Sequence, residues 1–182
     1  MFHAMTTGAF PTPGYNFVHE LQDIETLNHR AMKQELEVSA VSIHAYPEIS
    51  QHYALMNCGA SMGEGYGPMV VSMNGVSEEE VRANIIAIPG MKTSAYLGLR
   101  LAWGDCQVQV VAFDEIIPRI LDGSFLSGLI GSLSNPGIAS TQLFFFFFFF
   151  FFFFKVLIPA ASRVLYLVQA FLSNSSNISC RF

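Results

Sequence analysis

Apolar residues recur in two alternating rhythms from Phe17 to Ile130, and the elements they predict alternate in the same way. After the turn-rich Pro11-Thr-Pro-Gly14, Phe17 and Leu21 alternate loosely with polar neighbours and predict a strand over Asn16–Gln22. Ile24, Leu27 and Ala31 then fall at helical spacing. Asp23 is placed to cap that helix, Glu25 lies in its first turn, and it should run to about Glu35. Val38–Ile43 is short, β-branched and apolar, the pattern of a buried parallel-type strand, and it stops at His44-Ala-Tyr-Pro47. Tyr53–Asn57 and Pro68–Met73 read as further strands, separated by Gly59–Pro68, a loop whose glycines permit close backbone approach.

The second half repeats this alternation. Ser77 caps an acidic helix start at Glu78-Glu-Glu80, Ile85–Ile88 is a strand, and Pro89-Gly90 turns into Thr93-Ser94-Ala95 and a helix over Tyr96–Trp103. Val108–Phe113 reads as a buried strand, Asp114–Leu121 as a helix stopped by Asp122-Gly123, and Gly128-Leu-Ile130 as the start of one more strand. Strands and helices alternating along the chain define an α/β class.

Eleven consecutive phenylalanines, Phe144 to Phe154, break the pattern. A uniform set of aromatics specifies no unique interdigitated packing, so the run reads as low-complexity sequence, such as a translated homopolymer tract. Leu143–Ala161 is apolar apart from Lys155, and eleven Phe at about −0.3 kcal/mol each outweigh one Lys at about +2 on an insertion scale. The region 143–172 is therefore a candidate membrane-inserting segment, against which stands Pro159. The alternative is a segment that aggregates in water for want of a partner.

Charge divides the chain at the same place. All fourteen acidic residues lie at or before Asp122, against six basic ones there, while the remainder carries only Lys155, Arg163 and Arg181. With no basic patch, nucleic-acid binding is not expected. Cys58, Cys106 and Cys180 are widely spaced and read as small apolar residues of a reducing compartment. No metal or cofactor is expected, and oligomeric state is not encoded in any visible pattern. The opening residues lack a secretory signal, which predicts the cytoplasm, and the sequons at Asn174 and Asn177 are discounted accordingly. Five histidines occur, at His3, His19, His29, His44 and His52.

Two places carry candidate ligand chemistry. Ser42 stands at the C-terminal end of a strand, where open α/β sheets bind ligands, with His44 and Tyr46 just beyond it. Thr93 and Ser94 open a helix, so hydroxyls and free backbone N–H groups converge there. The plain alternatives are a backbone-satisfied serine, ordinary N-capping and a packing histidine, with Lys92 and Arg100 as surface charges.

Asp23-Ile-Glu25-Thr26-Leu27-Asn28, Val41-Ser42, Gly59-Ala-Ser-Met-Gly63-Glu-Gly65-Tyr-Gly67-Pro68 and Ile88-Pro89-Gly90-Met-Lys-Thr93-Ser94-Ala95-Tyr96 together resemble the 1,4-dihydroxy-6-naphthoate synthase family of menaquinone synthesis, over about residues 1 to 130. Asp23-Ile-Glu-Thr-Leu-Asn28 favours it over the related chorismate dehydratase branch. The resemblance implies a truncated two-lobed fold like type II periplasmic binding proteins, with a partial first lobe over 1–66, a partial second lobe over 67–133, a crossover near Gly59–Pro68 and a low-complexity tail over 134–182. It also implies a lyase acting on cyclic dehypoxanthinyl futalosine, and makes Ser42 a substrate contact together with Thr93 and Ser94.

Three departures qualify that expectation. The family's opening strand and its Ser-Pro-Cys-Pro-Asn-Asp-Thr-type loop would precede Phe2. A family lysine is Ala40 here. The family's Gly-Leu-Ile-Ile-His-Glu, whose histidine accepts a proton, reads Gly128-Leu129-Ile130-Gly131-Ser132-Leu133, so no catalytic residue is assigned. The chain is accordingly expected to be inactive as written, with unpaired strand edges. A non-catalytic solute-binding module and a membrane-tethered relic are the other two readings.

Overall fold

The computed structural model describes residues 7–11, 13–56, 60–63, 67–73, 75–131, 143–147 and 152–159. Helices α1 (Ile24–Met32), α2 (Tyr46–Ile49), α3 (Glu78–Ala83), α4 (Ser94–Trp103) and α5 (Ile116–Leu121) alternate with strands β1 (Ser39–Ser42), β2 (Tyr53–Leu55), β3 (Ser61–Gly63), β4 (Met69–Met73), β5 (Ile86–Ile88), β6 (Val108–Val110) and β7 (Ser127–Ile130), followed by β8 (Leu143–Phe147) and β9 (Phe152–Pro159). Two sheets result: one has β9 between β1 and β2 with β3 also on β9, the other runs β6-β5-β7-β4-β8.

Local chemistry explains the helix starts. Asp23 accepts the Thr26 backbone N–H at 3.0 Å. Ser77 and Glu80 close a reciprocal capping box, and Thr93 accepts from the Tyr96 N–H at the head of α4. Burial works against ionisation of the Asp23 carboxyl, yet the hydrogen bonds from the Thr26 side chain and backbone prevail and hold it below its ordinary value of 3.8. A depressed folded-state value means that the ionised cap stabilises the fold above about pH 4, and that this contribution disappears as pH falls through the folded value. Asp23→Asn, which caps without charge, should therefore approach the native chain as pH falls through the folded-state value of Asp23 and fall short of it by about 0.3–1 kcal/mol at pH 7, read by denaturant titration from pH 7 down the acid range.

The five-stranded sheet is packed on both faces, because its apolar residues alternate sides. Met69, Val71, Ala87 and Ile130 meet Ile116 and Ile120 of α5. Val70, Ile86, Ile88 and Leu129 meet Val81 of α3 and Ala95, Tyr96 and Leu99 of α4. In the other sheet's layer, Ala31, Val41, Ala45, Ile49 and Tyr53 form a separate cluster, and the Tyr53 hydroxyl donates to Leu36 O at 2.7 Å.

The chain passes between the sheets twice, from β3 to β4 and from β8 back to β9. The strands that lead into and out of these passages pair antiparallel, Gly63 opposite Phe152 in one sheet and Met69 opposite Phe147 in the other.

Several expectations change. Residues 15–23 form no strand: Val18 and Leu21 are exposed, so nothing apolar rewards extension there. Helix α1 stops at Met32, with Gln34 in the left-handed region two residues on. Strand β1 is antiparallel to β9 rather than parallel-type, Ala40 facing Val156, since the neighbour that completes its ladder arrives from the opposite direction. Part of the glycine-rich loop is strand β3, while Asn57, Cys58, Gly59 and Glu64–Tyr66 lie outside the described residues. Strand β6 is an edge with Val110 half-exposed, covered by a sheet neighbour on one side alone.

The window Leu143–Ala161 holds two strands instead of a spanning helix, because β1, β2, β3 and β4 offer backbone partners that outcompete intrachain helical bonds. Strands β1, β2 and β3 thus each gain β9 as a neighbour and β4 gains β8, while β6 and β8 remain the edges of the five-stranded sheet. Among the described residues no helix is long and apolar enough to cross a membrane.

Candidate functional site

Helix α1 presents Glu25, Asn28 and Ala31 on its buried face, three positions apart, so two of the three inward residues are polar. Buried polar groups require partners, and here the partners are residues of both sheets' layers. The Ser42 backbone N–H donates to Asn28 Oδ1 at 2.9 Å, and Asn28 Nδ2 donates to Ser42 Oγ at 3.1 Å. The same amide reaches Glu25 Oε2 and Lys92 O, each at 3.3 Å. A backbone N–H can only donate, so the oxygen of the amide must face Ser42 N and the orientation of the group is settled.

Glu25 completes the junction from the other direction. Its carboxylate accepts the Lys92 N–H at 3.1 Å and 3.3 Å through its two oxygens, and His29 Nε2 lies 3.4 Å from Oε1. The loop can approach so closely because position 90 is glycine: a Cβ there would fall inside van der Waals contact of the Glu25 side chain. Lys92 Nζ pairs with Glu48 of α2. Lys92 is therefore more than a surface charge, whereas Arg100 pairs with Asp105 at 3.0 Å on an exposed face.

The His44 ring supplies a further tie, its Nδ1 standing 3.1 Å from Thr93 O. A carbonyl accepts only, which places the proton on Nδ1 in the neutral ring and leaves Nε2 as the acceptor nitrogen. The ring also tilts against Tyr96, centroids 6.2 Å apart. Thr93 is 3% exposed, donates its hydroxyl to Gly90 O at 2.8 Å and accepts from the Tyr96 N–H at 3.2 Å, so its Oγ1 is committed to the cap. Ser94 is buried beside it as the first residue of α4.

Ser42, His44 and Thr93 thus converge, through Asn28 and the 90–93 loop, on one junction, and Ser94 follows Thr93 as the buried first residue of α4. Tyr46 does not join them: it packs against the α1–β1–β2 cluster, its hydroxyl at the limit of hydrogen bonding to Tyr53 O at 3.5 Å. Glu25 and Asn28 are the residues that periodicity alone passes over, since a polar residue on a helix face reads as solvated. The available signal was their spacing, which puts them in line with Ala31. Position 132, aligned with the family's proton acceptor, lies outside the described residues, as do His3, Cys58, Cys180 and the two sequons. Among the described residues no cluster of metal-ligating side chains occurs. Cys106 is a free thiol packed under α4; burial foremost, then Asp105, pushes it up against the opposing pull of Arg82.

Two sheets joined by a double passage, with buried polar side chains meeting where their layers touch, define a two-lobed α/β fold of the periplasmic-binding-protein type. The chain shares this fold with an arginine-, lysine- and histidine-binding protein from Geobacillus stearothermophilus, at 12% identity and TM-score 0.56 over 79% of this chain and 66% of that one. It belongs to the menaquinone biosynthesis family, whose model matches residues 1–131. A crystal structure of a protein from Archaeoglobus fulgidus is 33% identical with TM-score 0.80, covering 90% of this chain and 64% of that one. Curated relatives named 1,4-dihydroxy-6-naphthoate synthase come from Thermus thermophilus, 32% identical over 131 residues, and Streptomyces coelicolor, 31% identical over 137. Each match covers 71% of this chain and 47% of the relative, so the chain spans about half the length of the curated relatives it matches.

Proposed function

We propose that this chain is the ligand-holding portion of a lyase-type enzyme of menaquinone synthesis, gripping a futalosine-derived small molecule between a first lobe over 1–66 and a second over 67–133. In this reading 134–182 is an appended low-complexity segment, Ser42, Thr93 and Ser94 contact the ligand, and no cofactor or nucleic acid takes part. The protein acts in the cytoplasm, as its biosynthetic relatives suggest. The observation that carries the proposal is the convergence of buried Ser42 and Thr93 on one polar junction between the two layers. The names of the curated relatives supply the product, 1,4-dihydroxy-6-naphthoate, and the family resemblance supplies the futalosine-derived substrate class.

Binding and chemistry separate in this reading. The run Gly128-Leu129-Ile130-Gly131-Ser132-Leu133 has no histidine where the resemblance calls for a proton acceptor, so the ligand should be held without being converted. That same feature favours a second reading, a solute-binding module of identical architecture. Isothermal titration with cyclic dehypoxanthinyl futalosine should give saturable heat, and the same mixture should accumulate no 1,4-dihydroxy-6-naphthoate. Product formation by purified 1–182 would refute the loss of chemistry. Saturable heat with free arginine or histidine, and none with the futalosine compound, would hand the site to the second reading.

A further inference from the structure

We propose that Asn28 is the positioning residue of this junction, a single carboxamide that sets Ser42 and the 90–93 loop at a fixed separation. The inference rests on the reading of Ser42 and Thr93 as ligand contacts and deepens it.

Asn28 is completely buried, and a buried amide is tolerated only where its hydrogen-bonding capacity is met. It is met here from three sides: by both the backbone and the side chain of Ser42 at the end of β1, by Glu25 one turn back on α1, and by the Lys92 carbonyl in the loop that opens α4. A packing role would need none of this, since an apolar side chain of the same size would fill the site. The partners also differ in kind. Ser42 and Lys92 are fifty positions apart in sequence and belong to different layers, yet one planar group touches both. Because Oδ1 must face the Ser42 N–H, the donor Nδ2 is obliged to face Ser42 Oγ and Lys92 O, so the amide acts as a rigid spacer between the two walls. Thr93 follows Lys92 directly, and its carbonyl is held by His44, two residues beyond Ser42. Asn28 thus acts through Ser42 and the loop, without touching the ligand itself.

A binding cycle tests this with 1,4-dihydroxy-6-naphthoate as the titrated probe. Asn28→Ala and Ser42→Ala should each weaken the probe about tenfold. Asn28→Ala introduced into the Ser42→Ala chain should change affinity less than twofold, while it still lowers the melting temperature. Equal weakening in both backgrounds would mean that Asn28 does not act through Ser42, and would overturn the proposal. Amide hydrogen exchange supplies an arm that needs no ligand: Asn28→Ala should accelerate exchange at Ser42 at least tenfold with the amides of Val70 and Ile88 unchanged. Unaltered protection at Ser42 would also overturn it. Asn28→Asp serves where the alanine chain does not fold, since it retains the acceptor for Ser42 N and should keep that amide's protection within twofold while weakening the probe. If the unaltered chain takes up no probe, the ligand reading fails, and the exchange result alone decides the role of Asn28.

Discussion

Alanine at position 90 is expected to destabilise the chain by about 2–3 kcal/mol, the cost of disrupting hydrogen bonds to a part-buried carboxylate. The added methyl would overlap Cγ, Cδ and Oε2 of Glu25. A glutamate side chain can swing away, so the steric conflict alone is cheap to relieve. The swing is costly for another reason. It strips the Lys92 N–H of its acceptor at 3.1 Å and removes one partner from Asn28 Nδ2. The measurement is a double-mutant cycle by thermal or urea unfolding, in which a chain of 182 residues should lose roughly 2–4 °C per kcal/mol. In a Glu25→Ala background the Gly90→Ala change should cost almost nothing, because its opponent is gone. An undiminished cost in that background would show that the penalty lies in the backbone of the 90–93 loop and not in Glu25.

Gly128→Ala is expected to cost about 1–3 kcal/mol by overpacking, with little direct effect on the junction. Position 128 lies on β7, between β5 and β4 at the centre of the five-stranded sheet. A Cβ there would press into Ile116 Cγ2, sit 3.1 Å from Ile120 Cδ1 and meet the Ala87 carbonyl at 3.4 Å. Both isoleucines are fully buried on α5, which leaves them no free direction in which to retreat. Ile116→Ala alone should cost about 2–5 kcal/mol through the cavity it opens. Combining the two should recover part of the loss, since the new methyl occupies vacated space. Strictly additive losses in urea titration would show that the clash is with the strand backbone instead.

Much of the fold was legible because its signals are local. Asp23, Ser77 and Thr93 each cap a helix a few residues away, and a cap depends only on neighbours along the chain. The alternation of strands and helices anticipated an α/β sheet, and the structure packs Val70 and Leu129 against α3 and α4 on one face and Val71 and Ile130 against α5 on the other. The junction was legible in part: Ser42 and Thr93 stood out by their positions at the ends of elements, but Glu25 and Asn28 did not. A carboxylate in a first turn has a sufficient local explanation in the helix dipole, which conceals its second role across the lobes.

The C-terminal strands show the limit most directly. Eleven identical side chains contain no code for register, because sliding the run by two residues presents the same faces. Only where Lys155, Val156 and Leu157 follow does the sequence distinguish one alignment with β1 from another.

By itself the sequence determined the order of most elements between Asp23 and Ile130, the helix caps and many of the apolar positions that would be buried, since these depend on spacings of a few residues and on backbone preferences. Only the tertiary structure decided that β1 pairs antiparallel with a segment more than a hundred positions away and that Asn28 and Glu25 of one layer close on Lys92 of the other. Such pairings reward the chain only after distant segments have met, and no local spacing records which distant partner a hydrogen-bonding group will find.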